Sequence, residues 1–190
     1  SYDARLMKKI GIDIFSGAGG LSLGGSMAGI KVRYAIEVNP HAAKSFELNH
    51  KGAKVICGDI RDVKAIDFLN KDEEVFIIMG GPPNTMSRNM DNPNNLLFKE
   101  FVRLVSEIKP RWFVLENVWG MTKMNNGETI EMIKHCFEEI EPGYKVKWKV
   151  LWADEYGVPQ RRMRMFMVGN NQGIDFEFPK PFDYKVSVEE

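Results

Sequence analysis

Three groups of residues at the ends of short apolar runs have the side chains needed to grip a nucleoside. Asp13-Ile14-Phe15-Ser16-Gly17-Ala18-Gly19-Gly20 places glycines where an apolar run gives way to a helical pattern. Glycine there accepts positive φ and lets the backbone approach a ligand closely. Glu37 closes a second run, Val32 to Ile36, about where a carboxylate holds ribose hydroxyls in nucleotide-binding α/β folds. Asp59-Ile60 follow a third run, Lys54-Val55-Ile56, a place from which a carboxylate can accept a hydrogen bond from an adenine amine. Separately these are a tight turn and two solvated acids. In step along successive runs, they point to an adenosine-type ligand.

The elements that must position them alternate. Ile10 to Phe15, Val32 to Ile36, Lys54 to Ile56, Val75 to Met79 and Trp112 to Leu115 read as strands. The run at Val75 is apolar throughout, as in a strand covered on both faces. Leu21 to Ala28, Pro40 to Asn49, Leu96 to Ile108 and Glu128 to Ile140 read as helices, and Val146 to Leu151 with Met163 to Val168 as a closing pair of strands. This alternation predicts an α/β fold, a mostly parallel sheet with helices on both faces. The one long irregular stretch, Gly80 to Asn95, is rich in Gly, Pro, Asn and Ser, and loops of that length inside compact domains are usually functional.

Composition narrows the class. The chain has 190 residues, and its 26 basic and 26 acidic residues cancel, so it is a poor electrostatic clamp for DNA by itself. Ser1 to Leu6 precede a natural start at Met7 and are read as a leader or as residues added to the natural chain, leaving residues 7–190 as one domain. Two cysteines, Cys57 and Cys136, cannot make a disulfide framework or a four-cysteine zinc site, which predicts an intracellular, cytoplasmic setting. No metal site is expected, and no apolar stretch is long enough to span a bilayer. Cys136 sits beside Phe137 in a helical pattern and is expected to be a buried structural thiol.

Four motifs in order carry a resemblance. They are Asp13 to Leu21, Gly80-Gly81-Pro82-Pro83, Leu115-Glu116-Asn117-Val118, and Tyr156-Gly157-Val158-Pro159-Gln160-Arg161-Arg162-Met163-Arg164, followed by Phe178-Pro179-Lys180-Pro181-Phe182. With them the chain resembles the catalytic-domain half of the cytosine-C5 DNA methyltransferases, a family with close relatives acting on tRNA. The resemblance implies a Rossmann-like fold with S-adenosylmethionine, or its product S-adenosylhomocysteine, as ligand. By position it assigns cofactor contacts to Phe15, Gly17, Ala18, Gly19, Gly20, Glu37, Val38, Asp59, Ile60, Gly81, Pro83 and Leu97. It also implies that Glu116 holds the cytosine edge and that Arg162 and Arg164 contact base and phosphate. Two apart on one strand, the arginines are expected on one face.

The departures are chemical. In the family a cysteine follows the Pro-Pro pair and adds to C6 of a flipped-out cytosine, making C5 electron-rich enough to take a methyl group. Here that position is Asn84, with Thr85 next, where the family usually has glutamine. An amide nitrogen is delocalised into its carbonyl and cannot form that adduct. The stretch from Asn84 to Leu96 is also several residues shorter than the family's. The resemblance further implies a target-recognition domain beyond Phe182, where this chain has only Asp183 to Glu190.

Three readings follow. The first is a cofactor-binding homologue, inactive by itself, serving as a regulatory or partner subunit in DNA modification or restriction-modification. The second is one subunit of a split cytosine methyltransferase. The third is a DNA or RNA methyltransferase with altered chemistry, such as transfer to an exocyclic amine, although Gly81 before Pro82 and Asn84 after Pro83 match that signature poorly. A pure interaction module is a fourth. Under the first two a second protein chain is expected, as another copy or a recognition-domain subunit.

Overall fold

The computed structural model describes residues 9–17, 19–82 and 97–183. Its elements are β1 (Ile10–Ile14), α1 (Gly20–Met27), β2 (Lys31–Glu37), α2 (Pro40–Asn49), β3 (Lys54–Cys57), β4 (Ile77–Gly80), α3 (Leu97–Ile108), β5 (Trp112–Val118), α4 (Glu128–Glu138), β6 (Lys145–Trp152) and β7 (Met163–Asn170). The strands form one sheet in the order β3-β2-β1-β4-β5-β7-β6. The first five run parallel to one another, while β7 is antiparallel to both β5 and β6. The α/β expectation of a mostly parallel sheet therefore holds.

Period-two alternation divides the core between the two faces. Ile12, Ile14, Ile36, Ile78, Phe113, Leu115, Met165 and Met167 face a cluster that includes Phe98, Phe101, Leu104 and Val105 of α3 and Ile130, Ile133 and Phe137 of α4. Val32, Ala35, Ile77 and Met79 face the other way, against Phe46 of α2. Side chains alternate across a pleated strand, and the exception is β2, where a register shift opposite Gly11 and Ile12 puts Val32 on the opposite face from Tyr34 and Ile36. The apolar stripe of α3 recurs every three or four positions, so the helix lies flat on the sheet.

The chain leaves β1 toward β2 and β3 on one side, then crosses back to β4 on the other. The carboxyl ends of β1 and β4 thus flank the point where strand order reverses, the place where open α/β sheets bind ligands.

Two expectations are corrected. Cys136 is exposed. The buried stripe of α4 runs through Ile130, Ile133 and Phe137, and Cys136 lies about 100° round the helix from Phe137. Arg162 is exposed and precedes β7 instead of sharing the strand with Arg164; its carbonyl accepts from the Ala153 amide where the chain enters the strand.

Candidate functional site

The first wall of the site is the turn after β1. Ile14 is fully buried, and the chain then bends sharply at Phe15, whose φ of 58° is unusual for a residue with a side chain. Gly19 follows at φ 101° as the N-cap of α1, packed so closely against Phe46 and His50 that a β-carbon would collide with both. Beneath this turn Asp13 is fully buried and accepts a hydrogen bond from the Ser22 hydroxyl at 2.5 Å. Burial pushes its carboxyl from 3.8 up to about 7, with the Ser22 bonds opposing the rise and the nearby Glu37 charge adding to it.

Glu37, the last residue of β2, ties the turn to the second strand. One carboxylate oxygen accepts from the Gly17 amide at 2.6 Å, the other from the Asn39 amide at 2.9 Å. Asn39 in turn caps α2 by accepting from the His41 and Ala42 amides, with Pro40 set for the first helical position. The third wall is the 3-10 turn Ile60–Asp62, capped by Asp59, whose side chain accepts from the Arg61 amide at 2.9 Å and from its guanidinium at 2.5 Å. These bonds hold the Asp59 carboxyl below its ordinary range.

Between these walls lies a cleft of about 490 Å³ lined by Phe15, Gly17, Ile36, Glu37, Val38, Gly58, Asp59, Ile60, Arg61, Gly81 and Leu97. Eight residues singled out by resemblance, Phe15, Gly17, Glu37, Val38, Asp59, Ile60, Gly81 and Leu97, meet there. Gly19 and Gly20 instead shape the start of α1 and do not line the cleft. Ala18, Pro83 and Asn84 lie outside the described residues. Ile36, Gly58 and Arg61 complete the lining and were not singled out. Ile36 and Gly58 adjoin residues that were, whereas Arg61 reaches the cleft because the turn folds it back onto Asp59.

A second station lies alongside. Gly81 follows β4, and a β-carbon on it would sit 2.5 Å from Glu116 Oε2, so a side chain there would displace the Glu116 carboxylate. Glu116 on β5 faces Phe166 of β7, and the ion pair it makes with Arg164 Nε at 3.1 Å is the diagonal neighbour on that face. Arg162 is not part of this pair. Arg161 lies instead over the Trp152 ring, 4.8 Å from its centroid.

The profile of the C-5 cytosine-specific DNA methylase family matches residues 10–189. The chain belongs to that family. Among curated relatives it is 38% identical over 180 residues to the type II methyltransferase M1.HphI of Haemophilus parahaemolyticus, covering 90% of this chain and 48% of that one. It is 37% identical to M.AquIA of Picosynechococcus, covering 92% of this chain and 77% of the relative. The chain thus spans about half the length of M1.HphI. Among solved structures, a DNA modification methyltransferase encoded within an E. coli prophage superposes with a TM-score of 0.79 at 28% identity, over 94% of this chain and 52% of that one. Dnmt2 of S. pombe shares the fold, with a TM-score of 0.70 at 19% identity, over 90% of this chain and 52% of that one.

The cofactor of this methylase family is S-adenosylmethionine, and the cleft's residues fit it. Val38 is 62% exposed and Phe15 half-buried at the cleft, an apolar surface that a purine would cover, and Glu37 presents a carboxylate already anchored by two amides. Among the described residues no cluster of His, Cys, Asp and Glu could hold a metal, and no helix is long and apolar enough to cross a membrane.

Proposed function

We propose that this methylase-family chain binds S-adenosylmethionine in the cleft but does not by itself transfer the methyl group to cytosine, and that it acts as a regulatory or partner subunit in DNA modification. The observation that carries this reading is Asn84 at the position of the family's nucleophilic cysteine. When bound, the cofactor supplies an electrophilic methyl group on a sulfonium. Cytosine C5 becomes reactive toward it only once a thiolate has added at C6, and the Asn84 amide, with its nitrogen pair delocalised into the carbonyl, is too weak a nucleophile to form that bond.

The remaining roles are positional. Glu37 holds the ribose hydroxyls, with its geometry fixed by the Gly17 and Asn39 amides. Asp59 accepts from the adenine amine, with Ile36, Ile60 and Leu97 around the ring. Glu116, oriented by Arg164, stands where a base edge would be held. A nucleobase could still be contacted there without being methylated.

A second reading makes the chain one half of a split methyltransferase. Its support is the 77% coverage of M.AquIA, a methyltransferase chain much closer in length to this one than M1.HphI is. In that case the partner must supply the nucleophile that Asn84 replaces.

Calorimetric titration with S-adenosylhomocysteine tests the cofactor half of the proposal. Saturable binding supports it, and no heat at millimolar ligand contradicts it. Sedimentation, with pull-down from the source organism, tests the partner half. A strict monomer that captures no protein would contradict it.

A further inference from the structure

We propose that Arg103 is a positioning residue for the cofactor cleft, a brace that makes the adenine-side turn and the start of α3 one rigid wall. The inference rests on reading the cleft as the S-adenosylmethionine site. Arg103 lies on α3 and is not itself part of the cleft lining; it acts through backbone carbonyls, among them that of the lining residue Ile60. Its Nη2 donates to the carbonyls of Ile60 at 2.9 Å and Val63 at 2.8 Å. Its Nε donates to Glu100 at 2.6 Å and its Nη1 to Glu107 at 2.8 Å. A guanidinium has five N–H donors in a fixed plane, and these four bonds use most of them. Glu107 extends the brace, because its other oxygen accepts from the Ala65 amide at 3.0 Å.

The turn needs such support. Between the end of β3 and the start of β4 the chain forms only the short 3-10 turns Ile60–Asp62 and Ala65–Asp67. Turns of this size have little stability of their own. Yet Asp59, Ile60 and Arg61 form one side of the cleft, and Leu97, the first residue of α3, lines it as well. Arg103 joins these two through a single planar group. A lysine ammonium is a single point charge and cannot satisfy two carbonyls and two carboxylates at once.

The test is titration of the full chain with S-adenosylhomocysteine and with adenosine alone, comparing wild type with Arg103→Met, Arg103→Lys and Glu107→Gln. Hydrogen exchange is followed at the Val63 and Ala65 amides. Arg103→Met is expected to weaken both ligands by about tenfold or more, the scale of a lost charge-assisted hydrogen bond. Arg103→Lys should recover little of this, and Glu107→Gln should lose less. Exchange at Val63 and Ala65 should quicken while that of the β1 and β4 amides stays unchanged. Unaltered affinity in Arg103→Met well below its melting temperature, even with that temperature lowered, would overturn the proposal by showing a role in stability alone. If Arg103→Met does not fold, wild-type affinity in Arg103→Lys overturns it equally. If wild type binds neither ligand, the cleft reading fails instead, and unchanged exchange at Val63 and Ala65 in Arg103→Lys then removes the brace as well.

Discussion

The cofactor side and the base side of the sheet's rim hold their acids differently. On the cofactor side, Asp13 is sealed beneath the glycine turn and Glu37 is anchored by two backbone amides. On the base side, Glu116 remains about a quarter exposed and is paired with an equally accessible arginine. The first arrangement is fixed by burial of Asp13 and by the two amides on the half-buried Glu37. The second is a frame that a bound base or partner could rearrange at little cost. With Asn84 after Pro83, at the sequence position of the family's cysteine, the chain under the proposed function keeps the family's binding residues more completely than its nucleophile.

Asp13 should break the comparison most strongly. Its folded pKa of about 7 lies above its ordinary 3.8, so the folded protein binds the proton more tightly than the unfolded chain. Stability from this group is fully present below about pH 4, is lost progressively as pH rises through about 7, and levels off above about pH 8. Between pH 5 and pH 8 the loss should be about 3 kcal/mol. Asp13→Asn keeps an acceptor for Ser22 and removes the titration, so its denaturation midpoint should vary less with pH, measured in parallel with wild type. Equal pH dependence in the two proteins would mean that Asp13 is ionised in the fold.

Glu37→Ala comes next. It removes the ribose acceptor and the partner of two amides, and S-adenosylhomocysteine affinity should fall about 100-fold, or about 2.7 kcal/mol. A change below threefold by calorimetry would place the ligand elsewhere. Glu116→Gln should be milder, costing about 1 kcal/mol or less in chemical denaturation because its ion pair is partly solvated. It should also affect cofactor affinity far less than Glu37→Ala does. A loss as large as that of Glu37→Ala would join the two stations into one. The smallest expected effect is from Asn84→Cys, which restores a thiol but leaves Thr85 and the short stretch to Leu96 unchanged, so DNA methylation should stay undetectable by nucleoside mass spectrometry.

Much of this was legible in the sequence because strand periodicity and turn chemistry are local. Ile12 and Ile14 alternate with Gly11 and Asp13, and Pro40 marks the start of α2 to the residue. What failed depended on angle or on distant contact. Cys136 adjoins a buried phenylalanine in sequence but not on the helix surface. Arg164 is held by Glu116 from a strand about fifty residues away, leaving it less available than its spacing suggested. Arg61 and Arg103 carry no motif signal at all. Their roles come from a three-residue turn and a helix that meet only in the folded chain.

The most direct test of the central claim is methyl transfer from labelled S-adenosylmethionine to unmethylated DNA by the full chain, at cofactor concentrations that saturate the cleft, with Glu37→Ala as control. The account predicts label in DNA no higher than in that control, despite cofactor binding by the wild type. Label in 5-methylcytosine well above the control would contradict it, and would show that Asn84 does not stand where the reaction needs its nucleophile.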